Sequence, residues 1–258
     1  MSALSLCALR RRVSADAFPT TDLAHRWRFG QASTALDGST AATTTGDLVR
    51  YVPDVHGAVP LLVNADGDRP TFRTDLGAGA VSGVRFSSGT WLRTDTGSPV
   101  SLSATRTYVA VFKVTASDDT VVFGRRNFSI SNTCSEYAYY ADPAASDALV
   151  AVAGSFSGVS GQYPTSALGV FVFSIDQTNG AAGVVESYLD NVLTKTATSA
   201  LGTGAPSYTQ LGVNIYDFTN DTNATGALDV IELAVFNAAL GSTERAALQS
   251  YYAATYGV

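Results

Sequence analysis

The sequence predicts an all-β protein, a two-sheet antiparallel jelly-roll sandwich that ends in one short C-terminal helix. Charged residues make up only 15% of the chain, and Tyr and Phe number 12 each. Strand-forming runs recur at short spacing between turns rich in Gly, Asp and Asn, and no helical pattern interrupts them before the C-terminal segment, which excludes βαβ units. With 258 residues, 46% of them hydrophobic, the chain is long enough to bury one large core.

The chain divides into an N-terminal arm, residues 1–22, and a sandwich body, residues 23–258. Residues 1–30 hold five Arg against two Asp, whereas residues 31–258 hold eleven basic against twenty acidic residues. An acidic body excludes nucleic acid as its partner, because neutralising phosphates requires clustered Lys or Arg. The run "LRRR" at 9–12 is too short for that role and instead predicts contact between the arm and an acidic protein surface.

The arm also lacks the features of an export signal. Its apolar run at 3–9 is barely long enough, and the positive charges follow this run instead of preceding it. No stretch of the chain approaches the roughly 20 apolar residues of a membrane span. The sequence therefore predicts neither a membrane partner nor export by this route.

Ten runs after residue 80 have the composition of strands. They span residues 84–92, 107–115, 120–123, 128–131, 137–140, 149–156, 168–175, 184–189, 208–216 and 228–236. The core is expected to contain the large apolar residues Trp27, Phe86, Phe112, Phe171, Phe173 and Phe236.

The chain ends with an interior strand followed by a helix that packs onto the body. The run at 228–236 is apolar on both alternating faces, as expected of a strand that is covered on both sides. Gly241 or Ser242 is the predicted N-cap, and Glu244 lies in the first turn, where a negative charge is favourable. The apolar face of the helix is formed by Leu248, Tyr251, Tyr252 and Tyr256. Gly257 occupies the position where a helix commonly stops.

Four stretches of the body follow one another in a recognisable order. They are "LAHRWRFG" at 23–30, "DRPTFRTDLGAGAVSGVRFSSGTWLRTD" at 68–95, "VVESYLDNVL" at 184–193, and the closing strand and helix. Together they resemble the laminin-G-like or concanavalin-A-like lectin and glucanase superfamily, in particular its stand-alone members from phages and bacteria. The resemblance implies that the last strand returns beside the first and that the helix covers an open end of the sandwich. Asn191 stands where that family usually has Gly, and Gly241 stands where it usually has Ser.

The sequence assigns no catalytic residue. The chain has four Glu, and none of them belongs to the Glu-x-Asp-x-Glu strand motif of the glucanases that the resemblance includes. The two histidines, His25 and His56, have no nucleophile elbow to serve, and Cys7 and Cys134 have no metal-ligand or disulfide spacing. The chain is therefore expected not to be an enzyme, with glycan cleavage as the less favoured alternative.

One loop carries the chemistry of a metal or sugar site. The stretch "YDFTNDTNATG" at 216–226 clusters Asp217, Asp221 and Asn223, whose oxygens suit Ca²⁺ or sugar hydroxyls. The alternative is a loop that is stabilised by Asx turns. Ca²⁺ is accordingly the only cofactor that the sequence suggests, and the residues that bind glycan stay unassigned.

The function that these observations favour is a non-catalytic, lectin-like structural protein of a phage virion. Such a protein would be a head decoration, fibre or tail adhesion subunit within an oligomeric assembly. The arm, residues 1–22, would contact other virion proteins, and the body would contact surface glycans. The alternative is a secreted bacterial carbohydrate-binding protein, which would place the chain outside the cell.

Overall fold

The computed structural model describes residues 17–63, 65–77, 80–95, 100–115, 120–127, 136–141, 148–152, 156–160, 167–178, 183–199, 209–217, 222–223 and 226–258. The strands of these residues are, in chain order, β1 (Leu23–Arg28), β2 (Tyr51–Val52), β3 (Leu61–Leu62), β4 (Thr71–Leu76), β5 (Val81–Phe86), β6 (Leu92–Thr94), β7 (Thr105–Val114), β8 (Thr120–Asn127), β9 (Glu136–Ala141), β10 (Ala148–Val152), β11 (Phe156–Ser160), β12 (Gly169–Asp176), β13 (Gly183–Leu189), β14 (Val192–Ser199), β15 (Thr209–Val213), β16 (Ile215–Asp217), β17 (Thr222–Asn223) and β18 (Leu228–Phe236). One α-helix, α1 (Ser242–Tyr256), and two short 3₁₀ turns, Phe29–Gln31 and Asp66–Asp68, complete the described elements.

Two antiparallel sheets of eight described strands each form the sandwich. The helix-side sheet has the order β14-β13-β12-β7-β18-β5-β4, with β1 added beside β18. The second sheet has the order β11-β10-β9-β8-β15-β6-β3-β2, and β16 and β17 pair separately. The predicted all-β sandwich with a short C-terminal helix is therefore confirmed.

The closing strand β18 is the centre of the helix-side sheet. One of its edges pairs with β7, and the other pairs first with β5 and then with β1. The pairing with β7 skips Ile231, since Val230 lies opposite Phe112 and Glu232 opposite Val111. This β-bulge turns two successive side chains, Ile231 and Glu232, toward the helix.

The main core fills the space between the two sheets. Its buried residues include five of the six predicted aromatic residues, namely Trp27, Phe86, Phe112, Phe171 and Phe173. Phe236, the sixth, is also fully buried but lies on the opposite face of its strand, under the helix. The prediction that all six are buried is thus confirmed, and the sheet separates them into two cores.

The second core lies between the helix-side sheet and α1. Leu248 and Tyr252 of the helix are fully buried there. Gly241, one of the two predicted candidates, is the N-cap, and Gly257 ends the helix as predicted, in the left-handed conformation with φ 72°. Phe18 also belongs to this core, where it packs against Phe236, Tyr251 and Tyr252.

Several boundaries differ from the sequence prediction. The run at 84–92 is broken after β5 by a turn at 87–90, in which Gly89 has φ 83°. The run at 149–156 divides into β10 and β11, and the run at 128–131 lies outside the described residues. Three strands before residue 80 that were not predicted, β2, β3 and β4, extend the two sheets. Among the residues that the structure describes, no helix is long and apolar enough to cross a membrane.

Candidate functional site

A cleft of about 420 Å³ opens on the outer face of the helix-side sheet, at the C-terminal end of α1. We call it the C-terminal cleft, and its lining residues are Asp75, Gly77, Lys113, Ala167, Leu168, Tyr256, Gly257 and Val258. They come from the ends of β4 and β7, the entry to β12 and the last turn of the helix. The cleft therefore exists because α1 covers only part of the sheet.

Two ion pairs on the uncovered face of the sheet fix the charges beside this cleft. Arg85 binds Asp229 through two hydrogen bonds of 2.7 Å each, and Arg73 binds Asp75 at 2.8 and 2.5 Å. The hydrogen bond from Arg73 lowers the pKa of Asp75, so this exposed carboxyl stays ionised. Both carboxylates are held in planar, two-pronged geometry with an oxygen edge that can still accept further hydrogen bonds.

Lys113 is the cation that directly lines the cleft. It lies opposite Asp229 in the pairing of β7 with β18, so Arg85, Asp229 and Lys113 form one row across three strands. Asp229 forms its ion pair with Arg85, and among the described residues Lys113 makes none. Its three N–H groups are therefore available to a ligand.

The end of the helix borders the same cleft, which Tyr256, Gly257 and Val258 line. The last carbonyl groups of an α-helix have no donor within the helix. Here the carbonyl of Ala253 accepts a hydrogen bond from the N–H of the C-cap residue Gly257, at 3.0 Å. Leu168 supplies an apolar wall. Gly77, at φ 65°, permits its close approach, because a Cβ there would lie 2.7 Å from the Leu168 side chain. Donors, acceptors and an apolar wall thus lie side by side.

Glu232 holds the helix end in place from beneath. Its carboxylate is fully buried and accepts two hydrogen bonds from Arg26, at 2.8 and 3.0 Å. It also accepts from the hydroxyls of Tyr252 at 3.1 Å and Tyr256 at 2.6 Å. Burial and the neighbouring Glu232 raise the pKa of Tyr256, so its hydroxyl stays a donor. With its oxygens so occupied, Glu232 supports the site and is not accessible to a substrate.

A second, smaller depression of about 180 Å³ is also lined by Tyr256. We call it the Arg28 pocket, and its lining residues are Arg28, Gly30, Gln31, Val81, Ser82, Ile231 and Tyr256. Gly30 lets the 3₁₀ turn approach β5, because a Cβ at this position would lie 3.0 Å from the Ser82 carbonyl oxygen. Tyr256 is therefore a wall that the two depressions share.

The histidines have structural surroundings. The His25 Nδ1 lies 2.7 Å from Asp54 Oδ2, and its ring stacks on Trp27 with 5.3 Å between centroids. Asp54 also accepts from the backbone N–H groups of Arg26, His56, Gly57 and Val59. Burial raises the pKa of Asp54, but the hydrogen bonds outweigh it and the net pKa is lowered. This pair fastens a loop to β1.

The side chains of the three predicted metal ligands, Asp217, Asp221 and Asn223, are not among those that the structure describes. Asp221 lies outside the described residues, and for Asp217 and Asn223 the structure describes only the backbone, in β16 and β17. No cluster of three metal-ligating side chains occurs in the described part of the chain. The calcium site stays a prediction, and a rise in melting temperature between chelator and millimolar Ca²⁺ would be its signature. An unchanged melting temperature would remove it.

Sequence reasoning did not find the residues of the two depressions. Asp75, Lys113 and Tyr256 are far apart in the chain and lie in unrelated elements. The available signal was the helix itself, since a short helix on a wide sheet leaves part of that sheet uncovered. The Arg28 position carried a weaker signal, a charged residue at the end of an opening strand in which every second residue is buried.

Comparison with protein-family models gives no match, and comparison with curated proteins gives none at a significant level. Solved structures do match the fold. The binding domain of Paraclostridial Mosquitocidal Protein 1 is similar with a TM-score of 0.60 at 10% identity, over 90% of this chain and 52% of that one. A GH54 α-L-arabinofuranosidase has a TM-score of 0.57 at 9% identity, over 93% of this chain and 60% of that one.

A Trypanosoma rangeli sialidase in complex with sialic acid has a TM-score of 0.55 at 14% identity, over 90% of this chain and 33% of that one. The chain thus spans between about a third and three fifths of these proteins. At such low identity the likeness concerns the fold alone. The sandwich of this chain is similar to β-sandwiches found within larger proteins.

Proposed function

We propose that this chain is a non-catalytic, glycan-binding protein whose sugar site is the C-terminal cleft. The observation that carries the proposal is the combination of Lys113 as donor, Asp75 as acceptor and Leu168 as an apolar wall within one cleft. Sugars present hydroxyls that donate and accept, together with apolar ring faces, and this arrangement complements both.

The fold supports the same proposal by analogy. The similar sialidase was solved with sialic acid, and the matching toxin region is named a binding domain. One fold carries many functions, so the likeness raises the expectation while the cleft specifies the site.

A binding experiment tests the proposal. The full chain is applied to a panel of oligosaccharides, and the best ligand is then measured against Lys113→Gln by calorimetry. Loss of one charged hydrogen-bond donor should weaken binding about tenfold or more. Arg69→Gln is the control of equal charge, because Arg69 lines neither depression and its guanidinium pairs with Asp66. Binding that is lost equally in both variants, or no binding to any glycan, contradicts the proposal.

The absence of catalysis forms part of the proposal. Retaining or inverting glycoside hydrolysis needs one carboxyl whose pKa is raised so that it can act as an acid. In the cleft, Asp75 has a lowered pKa instead, and Glu232 is enclosed by donors. Incubation with the polysaccharides that bind should release no reducing ends, and their release would show that the chain is an enzyme.

The finer proposal places the protein in a phage virion, as a head decoration, fibre or tail adhesion subunit. It rests on the family resemblance of the sequence and on the contrast between a basic arm, residues 1–22, and an acidic body. The arm would attach to an acidic surface of another virion protein, while the cleft stays free for glycan. Mass spectrometry of purified particles should detect the chain in stoichiometric amounts. Its presence only in the medium would favour the secreted carbohydrate-binding protein.

A further inference from the structure

We propose that the Arg28 pocket receives a carboxylate of the bound glycan, so that the protein prefers acidic sugars. The proposal rests on the glycan function of the neighbouring cleft and assigns a ligand class to it. Three features of the pocket carry it: its charge, its polar lining and its position beside the cleft.

The positive charge of the pocket follows from the number of guanidinium groups beside the Glu232 carboxylate. Arg26 already satisfies this carboxylate with two hydrogen bonds, and two tyrosine hydroxyls add two more. The Arg28 Nε lies 3.7 Å from Glu232 Oε2, which is beyond hydrogen-bonding distance. Two guanidinium groups therefore accompany one carboxylate, and the cluster keeps one positive charge at Arg28.

The lining suits an anion. Arg28 offers a guanidinium fork, whose geometry matches a carboxylate. Gln31 and Ser82 add an amide and a hydroxyl, and the lining contains no acidic side chain. The Arg28 side chain is 35% exposed, so a ligand can reach it from solvent. The volume of about 180 Å³ holds a carboxylate and part of a sugar ring.

The position connects the pocket with the proposed sugar site. Tyr256 lines both depressions, so the two are neighbours on this face of the sheet. One ligand can therefore place its hydroxyls against Lys113 in the C-terminal cleft and a carboxylate against Arg28. A chain of hexuronic acids has this alternation of hydroxyl-bearing rings and carboxylates.

The test compares the same oligosaccharide with and without its charge. The probes are tetramers of galacturonic acid and of mannuronic acid, each as the free acid and as its methyl ester. The full chain should bind a free acid at least tenfold more tightly than its ester. In Arg28→Gln this preference should largely disappear, while affinity for the ester stays unchanged. Arg69→Gln, which removes an equal charge away from both depressions, should keep the preference.

The outcomes separate the two proposals. Equal affinity for acid and ester, or a preference that survives Arg28→Gln, overturns the acidic-sugar inference and leaves glycan binding in place. If neither these probes nor any neutral glycan binds, the glycan function falls and the inference falls with it. A melting temperature for Arg28→Gln close to that of the parent chain shows that the lost preference does not come from unfolding.

Discussion

Glu232 is a charged residue in the middle of a strand whose nine residues are all buried. It is tolerated there because the bulge at Ile231 turns its side chain toward the helix, where the carboxylate accepts four hydrogen bonds. A buried carboxylate without such partners would cost several kcal/mol. The same contacts position Tyr256, and through it both depressions.

Substitution of Glu232→Gln should therefore lower the free energy of unfolding by about 3 to 5 kcal/mol, because Arg26 would keep a buried charge without its counterion. Urea unfolding followed by fluorescence measures this. Asp66→Asn is the control, since the exposed Asp66 pairs with Arg50 at the surface and its loss should have little effect. Equal effects of the two substitutions would refute the role assigned to Glu232.

The lowered pKa of Asp54 predicts that the protein becomes less stable in acid. The pKa of this carboxyl is lowered in the folded state, so its contribution is complete above the unfolded pKa of about 3.9 and is lost as pH falls through the lower folded value. Melting temperatures measured from pH 6 down to pH 2 should show this decline. Asp54→Asn should lower the melting temperature at pH 6 and flatten the decline. A variant as steeply acid-sensitive as the parent chain would contradict this assignment.

The hairpin turn between β13 and β14 requires residues that can adopt positive φ. Asp190 and Asn191 both have positive φ, 48° and 63°, as a two-residue hairpin turn demands. The Asp190 carboxylate accepts from the Val170 N–H at 2.9 Å and anchors the hairpin to β12. Asn191 therefore replaces the usual Gly without strain, because Asn tolerates the left-handed conformation.

Asn191→Gly should leave stability nearly unchanged, whereas Asn191→Val should cost about 1 to 2 kcal/mol, because a β-branched side chain is strained at positive φ. Chemical denaturation of both variants measures the difference. Comparable stability of the two would mean that the turn changes its conformation at little cost.

Strands and helices with a long hydrophobic pattern were predictable from the sequence, and strands of two residues were not. The closing strand matches its predicted span of 228–236, and the cap residues of α1 lie where the sequence placed them. Strands of two residues, such as β2 and β3, carry no periodicity and form only because neighbouring strands offer hydrogen bonds. The two depressions escaped prediction for a related reason. Lys113 and Tyr256 come together through register and helix docking, which no local pattern records.

For the whole molecule, the start of the described chain belongs to the packed body. Phe18 lies within the arm that the sequence delimited as 1–22, and it is 8% exposed in the second core. The Arg26 guanidinium carbon lies 3.6 Å from the centroid of its ring, a cation–π contact. An attachment segment would therefore leave the body beside α1.

Two truncations test this boundary. Deletion of residues 2–16 should leave the melting temperature unchanged, whereas deletion of residues 2–20 should lower it, since removing a buried Phe costs about 3 to 5 kcal/mol. If the arm is the attachment segment, the shorter deletion should also prevent incorporation into particles. Incorporation of the shorter form at the parent level would refute attachment through the arm.

The connection of Phe18 to Tyr256 through Arg26 and Glu232 has a mechanical consequence. A tether that pulls at residue 17 and a glycan that pulls at the C-terminal cleft would act on the same side of the helix-side sheet. The force would pass through Phe18, Arg26, Glu232 and Tyr256, which are joined by contacts of a few ångströms. The second sheet and the main core would carry almost none of that tension. If the arm is the attachment segment and the cleft binds glycan, most of the sandwich would stay mechanically unstressed while the protein resists detachment.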